Sequence, residues 1–250
     1  MRIARVSHDG AIYFAAIEGT DVAQLDGPPI GELRFTGLRV KLDAVRLLAP
    51  TLPSKVVAIG VNYRDHAEEM GHSLPEEPLM FLKPSTAVVG PADPVKKPPV
   101  SVRMDFEGEL AVVVRGLVRG ADLQTAREAI LGYTIANDVT ARDLQVKDGQ
   151  WTRAKGFDGF CPLGPWIDTD VDPGALNITT RLNGEVKQSS NTKNLIFDPA
   201  QLVSYVSNVM TLLPGDVILT GTPSGVGPME PGDDVEVEID GIGTLRNSIV

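Results

Sequence analysis

Apolar positions along this chain fall mostly in short runs or alternate with polar ones, a pattern of strands more than of long helices. Residues 3–7 and 11–17 flank His8-Asp9-Gly10, whose glycine is free to take positive φ, and so predict a hairpin. The β-branched run at 55–61 suits a buried strand, and 106–114 and 133–137 predict two more. Val235, Val237 and Ile239 alternate as a half-buried strand, and Asp240-Gly241 turns the chain into a closing one. Helical signals are fewer. Asn62 is placed to cap a short helix through residue 70, and Asp122 to cap one over 123–131. The clearest helix is 199–213, with Asp198 as cap, Pro199 in the first turn and Pro214-Gly215 as its stop. Its Leu202, Val203, Val206, Val209, Met210 and Leu213 share one face. Strands outnumber helices without alternating with them, so the expected class is α+β, mainly β. A loose Gly- and Pro-containing stretch around Gly27-Pro28-Pro29 and Gly31 separates the hairpin from the longer C-terminal part of the chain. Past it, Val45-Arg46-Leu47-Leu48-Ala49-Pro50 places a boundary near residues 45–55, so the expected division is a small N-terminal β module over 1–50 and a main domain over 51–250.

Composition narrows the partners. Subtracting 33 acidic from 23 basic side chains gives −10, which opposes a phosphate backbone or an anionic membrane surface. Aromatics at 5% supply little for base stacking, so neither nucleic acid nor membrane is expected as a partner. The single cysteine, Cys161, excludes an internal disulfide and a cysteine-built zinc or iron–sulfur site. With no apolar run of signal-peptide length at the start, the expected compartment is the cytoplasm.

Against that background a few polar residues stand out. In Asp105-Phe106-Glu107-Gly108-Glu109-Leu110, two carboxylates two residues apart would share one strand face, and the adjoining Val112-Val113-Val114 leads that strand into a core. The bland reading of the pair is a solvated strand edge. Asp138, after another buried-looking strand, either caps a turn or joins the pair in an all-oxygen site suited to Mg²⁺, Mn²⁺ or Ca²⁺. His66 and Glu69 lie three apart on one helix face, the geometry of a base with its orienting carboxylate, or simply of a charged surface helix. Lys155 sits between small residues with aromatics nearby and either faces an anionic ligand or solvates a surface. The phosphate-loop, nucleophile-elbow and dinucleotide spacings are all missing.

The ordered set of motifs goes further. Gly60-Val61-Asn62-Tyr63 with Asp65-His66 comes first, then Phe81-Leu82-Lys83-Pro84-Ser85-Thr86, then Phe106-Glu107-Gly108-Glu109-Leu110. Asn137-Asp138-Val139-Thr140-Ala141-Arg142-Asp143, Trp151-Thr152-Arg153-Ala154-Lys155 and Leu219-Thr220-Gly221-Thr222-Pro223-Ser224-Gly225 complete it. Over roughly residues 55–250 the chain resembles the fumarylacetoacetate hydrolase superfamily, and within it the bacterial 2-hydroxyhepta-2,4-diene-1,7-dioate isomerase and acylpyruvase-like branch. The resemblance implies a mixed β-sandwich roll, a homodimer and a divalent ion, Mg²⁺ or Mn²⁺. It implies Glu107, Glu109 and Asp138 as metal ligands and His66, Glu69 and Lys155 as catalytic residues. Gln145 and Thr222 would contact the carboxylate of a small 2-oxo or diketo acid substrate. The leading expectation is hydrolysis of a C–C bond in acylpyruvates or related diketo acids through a metal-stabilised enolate. An isomerase of 2-hydroxyhepta-2,4-diene-1,7-dioate or an oxaloacetate decarboxylase in aromatic-acid catabolism is the second reading. A β domain around a structural ion, with no activity, is the third.

Overall fold

A computed structural model of the 250-residue chain describes residues 1–69 and 73–250, leaving the side chains of His66 and Ala67 outside the description. Five strands come first: β1 (Arg2–His8), β2 (Ala11–Glu18), β3 (Asp21–Leu25), β4 (Phe35–Lys41) and β5 (Arg46–Leu48). Next are β6 (Val56–Gly60), helix α1 (Arg64–Glu69), β7 (Leu79–Lys83), β8 (Val88–Val89), β9 (Met104–Phe106) and β10 (Gly108–Val114). Helix α2 (Leu123–Glu128), β11 (Ile130–Asn137), β12 (Thr140–Ala141), α3 (Arg142–Asp148), α4 (Thr152–Lys155) and β13 (Cys161–Asp168) come after them. The chain ends with β14 (Asn177–Leu182), β15 (Glu185–Asn191), α5 (Pro199–Val209), β16 (Val217–Leu219), β17 (Gly227–Met229), β18 (Asp234–Ile239) and β19 (Gly243–Ser248). The expected α+β, mainly β class holds.

The largest sheet runs β4-β3-β2-β1-β13-β11-β10-β16-β6-β7, with β5 beside β1 and β8 beside β13. The N-terminal strands therefore continue the main sheet through β1 and β13, where Ile3 pairs with Ile167. A four-stranded sheet, β15-β14-β18-β19, packs on one face of it. Leu110, Val112, Ile135 and Ile218 meet Ile178, Val237, Ile239 and Leu245 there, with Leu202, Val203 and Val206 of α5 closing the layer. Alternate residues of the same strands, Ala111, Val113, Ala136 and Leu219, face the other side. A small sheet, β12-β9-β17, carries a separate cluster around Met104, Phe106, Val139 and Phe160.

Three boundaries depart from the sequence pattern, each for a tertiary reason. Helix α5 stops at Val209 because Met210 is extended and Leu212 exchanges backbone hydrogen bonds with Val118. Helix α2 stops at Glu128 because Ile130 is already paired with Val114 in the large sheet. Asn62 does not cap a helix. Its side chain is buried, donating to the carbonyls of Thr220 (2.7 Å) and Phe197 (3.1 Å) and accepting from Phe197 N–H (2.9 Å), so it staples β6 to the segments after β16 and before α5.

One buried carboxylate anchors the turn into β16. Asp216 accepts from Ser54, from the backbone N–H groups of Ser54, Lys55 and Leu213, and from the Lys55 ammonium. Burial opposes its charge, but the Lys55, Leu213 and Ser54 bonds outweigh that and hold the carboxyl below its ordinary value. Asp216→Asn should then cost about 1.5–3 kcal/mol at neutral pH. Because the folded-state value is depressed, the native advantage is full above the ordinary carboxyl range and shrinks as pH falls through the lower folded-state value. Urea melts of both proteins at pH 7 and pH 3 check this. A gap that widens in acid would contradict the assignment.

Candidate metal and active site

The site begins at a break in a strand. The sequence pattern predicts one strand over 106–114, with Glu107 and Glu109 on a common face. Instead Glu107 lies between β9 of the small sheet and β10 of the large one. Its N–H donates to Asn137 Oδ1 (2.9 Å), and the next N–H, of Gly108, donates to Gln188 Oε1 (3.0 Å). Position 108 has no room for a side chain, since a Cβ there would lie 2.2 Å from Thr180 Oγ1. The carboxylates converge because the chain changes sheets, and not through strand alternation alone.

Glu109, on β10, accepts from the N–H of Gly221 at 2.6 Å. Gly221 has φ +98°, and a Cβ on it would come within 2.8 Å of Asn62 Cβ, so only glycine brings this N–H to the carboxylate. Asp138 comes directly after β11. Oxygens of Glu107, Glu109 and Asp138 lie within 4.8 Å of one another, and all three residues are buried.

Three cations surround them. Lys155, at the end of α4 and 2% exposed, donates to Glu107 Oε2 (2.8 Å) and Asp138 Oδ2 (2.7 Å). Its ammonium stands 5.1 Å from the centre of the Phe81 ring. Lys83, from the end of β7 and fully buried, pairs with the other Asp138 oxygen and donates to Val139 O at 3.2 Å. Arg142, at the start of α3, donates to Glu107 Oε1 (2.6 Å), Asp105 Oδ2 (2.9 Å) and Gln145 Oε1 (2.7 Å).

The electrostatics separate the two glutamates. Burial disfavours the charge on Glu107, but Lys155 and Arg142 outweigh it and hold the carboxyl down at about 2. Burial, reinforced by Asp138 and Glu107, pushes Glu109 well above the usual carboxylate range. Burial works against the Lys155 charge as well, yet Asp138 and Glu107 more than restore it and its value rises. Lysine and arginine side chains bond to Glu107 and Asp138, whereas among the described residues Glu109 is bonded only by the Gly221 N–H. A hard divalent cation fits this all-oxygen, buried donor set better than zinc or copper does.

The cluster opens into a cavity of about 280 Å³. Glu107, Glu109, Asp138, Lys155, Arg142 and Gln145 form its polar end, and Ile59, Val61, Phe81 and Trp151 an apolar wall. Gln145 lines it with its carbonyl already held by Arg142, which leaves its amide N–H groups for a ligand. Thr222 lines it too, but its hydroxyl donates to Gly108 O (2.9 Å) and accepts from Gln188 (2.8 Å). Glu69 lies elsewhere: it is exposed at the end of α1, with both carboxylate oxygens accepting from Gly225 N–H at 3.2 and 3.3 Å. His66 is on α1, and its imidazole lies outside the described residues.

Sequence reasoning left Lys83, Arg142, Asp105 and Gln188 without a role. Lys83 and Arg142 belong to two of the family-like motifs, so their signal was present but unassigned. Gln188 sits in a polar, mostly exposed strand and gave none.

Comparison with known proteins identifies the family. Residues 55–250 match the family described as fumarylacetoacetate (FAA) hydrolase, C-terminal, and residues 1–50 match the Rv2993c-like N-terminal family. A solved structure of 5-carboxymethyl-2-hydroxymuconate delta-isomerase from Mycobacterium smegmatis is 50% identical, with a TM-score of 0.95 over 100% of this chain and 99% of that one. One of 2-hydroxyhepta-2,4-diene-1,7-dioate isomerase from Mycobacterium marinum is 49% identical, with a TM-score of 0.94 over 100% and 98%. The mitochondrial oxaloacetate tautomerase Fahd2a of Rattus norvegicus is 43% identical over 218 residues, 82% of this chain and 70% of that protein. The chain belongs to the fumarylacetoacetate hydrolase family, and it is an enzyme. Among the described residues, no helix is long and apolar enough to cross a membrane.

Proposed function

We propose that the enzyme moves a proton within a small 2-oxo or 2-hydroxy-diene acid, interconverting keto and enol forms or shifting a double bond. The observation that carries this is the Lys155 ammonium, buried between Glu107 and Asp138 at the polar end of the cavity. A fixed cation there stabilises negative charge as it develops on the substrate's oxo oxygen, the common feature of these reactions. The Gln145 amide would receive the substrate carboxylate, and the Phe81 and Trp151 wall would keep water from the conjugated carbons. Glu107, Glu109 and Asp138 would hold a divalent ion, Mg²⁺ or Mn²⁺, which when bound supplies Lewis-acid polarisation of a 2-oxo group. The isomerase and tautomerase relatives support this reading. The family resemblance also supports a homodimer, and the separate family match of residues 1–50 supports reading them as an N-terminal module.

Hydrolysis of an acylpyruvate is the second reading. It is favoured by α1, which carries His66 and is held through Glu69 to Gly225, three residues after the cavity-lining Thr222. His66 would then activate a water, and the C–C bond between the attacked carbonyl and the pyruvate methylene would break.

The two are separated by incubating the protein and Mg²⁺ with oxaloacetate, acetylpyruvate and 2-hydroxyhepta-2,4-diene-1,7-dioate. Enol absorbance and NMR of the products report the outcome. Proton shift changes the absorbance with carbon number conserved; hydrolysis releases acetate and pyruvate from acetylpyruvate. Release of pyruvate without accelerated keto–enol exchange would overturn the first reading. His66→Ala should abolish the release and leave the exchange.

A further inference from the structure

Between the two glutamates of the acidic cluster, both backbone polar groups of Gly108 are taken by side chains. Its N–H donates to Gln188 Oε1 (3.0 Å), and its carbonyl accepts from Thr222 Oγ1 (2.9 Å). Gln188 closes the loop by donating from Nε2 to Thr222 Oγ1 (2.8 Å), and it donates again to Pro223 O (2.8 Å). Three groups thus form a closed cycle of hydrogen bonds, in which each member is both donor and acceptor. Such a cycle is stiffer than three separate bonds, because each polarises the next. Gln188 comes from β15, an otherwise largely exposed edge strand of the four-stranded sheet, yet is itself 1% exposed. Its orientation is unique. Turning the amide over would set a donor against the Gly108 N–H and an oxygen against Pro223 O.

We infer that Gln188 is a positioning residue for the cation site, reaching it from a different sheet. By holding Gly108 it fixes the turn that aims Glu107 and Glu109 at one point. By holding Thr222 and Pro223 it fixes the loop whose Gly221 N–H orients Glu109. Its Nε2 fills a lone pair of the Thr222 hydroxyl, whose proton goes to Gly108 O, so that hydroxyl is held on both sides. This inference rests on the reading that Glu107, Glu109 and Asp138 bind a divalent cation.

The test measures Mn²⁺ binding by titration calorimetry, well below each variant's melting temperature. Gln188→Leu keeps the volume and removes the amide, and should weaken Mn²⁺ at least tenfold, the lower end of what loss of a ligand-orienting partner costs. Thr222→Val, which breaks the cycle at its other side chain, should do the same. The double variant should be no worse than either single one, since both act through one cycle. Val237→Ala serves as control, because Val237 packs against the same glycine from the β18 side without joining the cycle. It should lower the melting temperature and leave Mn²⁺ affinity within twofold. Unchanged affinity in both Gln188→Leu and Thr222→Val, strictly additive losses, or an equal loss in Val237→Ala would overturn the inference. Failure of the native protein to bind Mn²⁺ would instead overturn the cation reading, and this one with it.

Discussion

Glu109→Gln should abolish tight binding of Mg²⁺ or Mn²⁺ and lower turnover by about 10³-fold, the several kcal/mol that such an ion supplies. The substitution is nearly isosteric and keeps an oxygen for the Gly221 N–H, so the loop should stay in place. What it removes is one of three charges in a space where the oxygens lie within 4.8 Å. Burial, Asp138 and Glu107 push the Glu109 carboxyl well up, so without a cation this charge is a liability to the fold. Two melting curves therefore cross. Mg²⁺ at a hundred times its dissociation constant should stabilise the native protein by about 2.7 kcal/mol, and EDTA should reverse that. The variant should melt no lower than the native protein in EDTA and gain nothing from Mg²⁺. A variant whose melting temperature still rises with Mg²⁺ would show that the ion binds elsewhere.

The strands and the Glu107–Glu109 spacing were legible in the sequence because their signals are local, whereas Asp138 and Lys155 took their candidate roles from the ordered set of motifs. Val235, Val237 and Ile239 alternate within six residues, and Glu107 and Glu109 sit two apart. The misreadings all came from partners distant in sequence. Leu212 leaves the helical pattern for Val118, 94 positions away by subtraction, and nothing near Leu212 announces it. The break at Glu107 depends on Asn137 and Gln188, which no local pattern around Glu107 contains. Lys83 shows the same limit from the other direction. Its motif was visible, but pairing it with Asp138 requires β7 and β11 to be placed in one sheet first. A sequence states which residue types are present and which are periodic. Which buried charge meets which is decided by topology.

Lys155→Met should separate the two tasks of this cluster, holding a cation and stabilising charge on the substrate. Methionine fills most of the volume beside Phe81 and removes the ammonium from Glu107 and Asp138. With no divalent ion, two buried carboxylates each lose a partner, and breaking a buried pair this way costs about 3–5 kcal/mol. Lys83 still holds Asp138 and Arg142 still holds Glu107, so the chain should fold. Added Mn²⁺ should then stabilise the variant more than it does the native protein, because it meets a cluster with one fewer counter-charge. Turnover should nevertheless fall by about 10²–10³-fold, the usual effect of deleting one preorganised donor to a developing oxyanion. Melting curves with and without Mn²⁺, run beside steady-state rates, decide the matter. If the variant bound Mn²⁺ more weakly and kept its turnover at saturating ion, Lys155 would be a structural counter-ion of the site, and charge stabilisation on the substrate would have to come from another group.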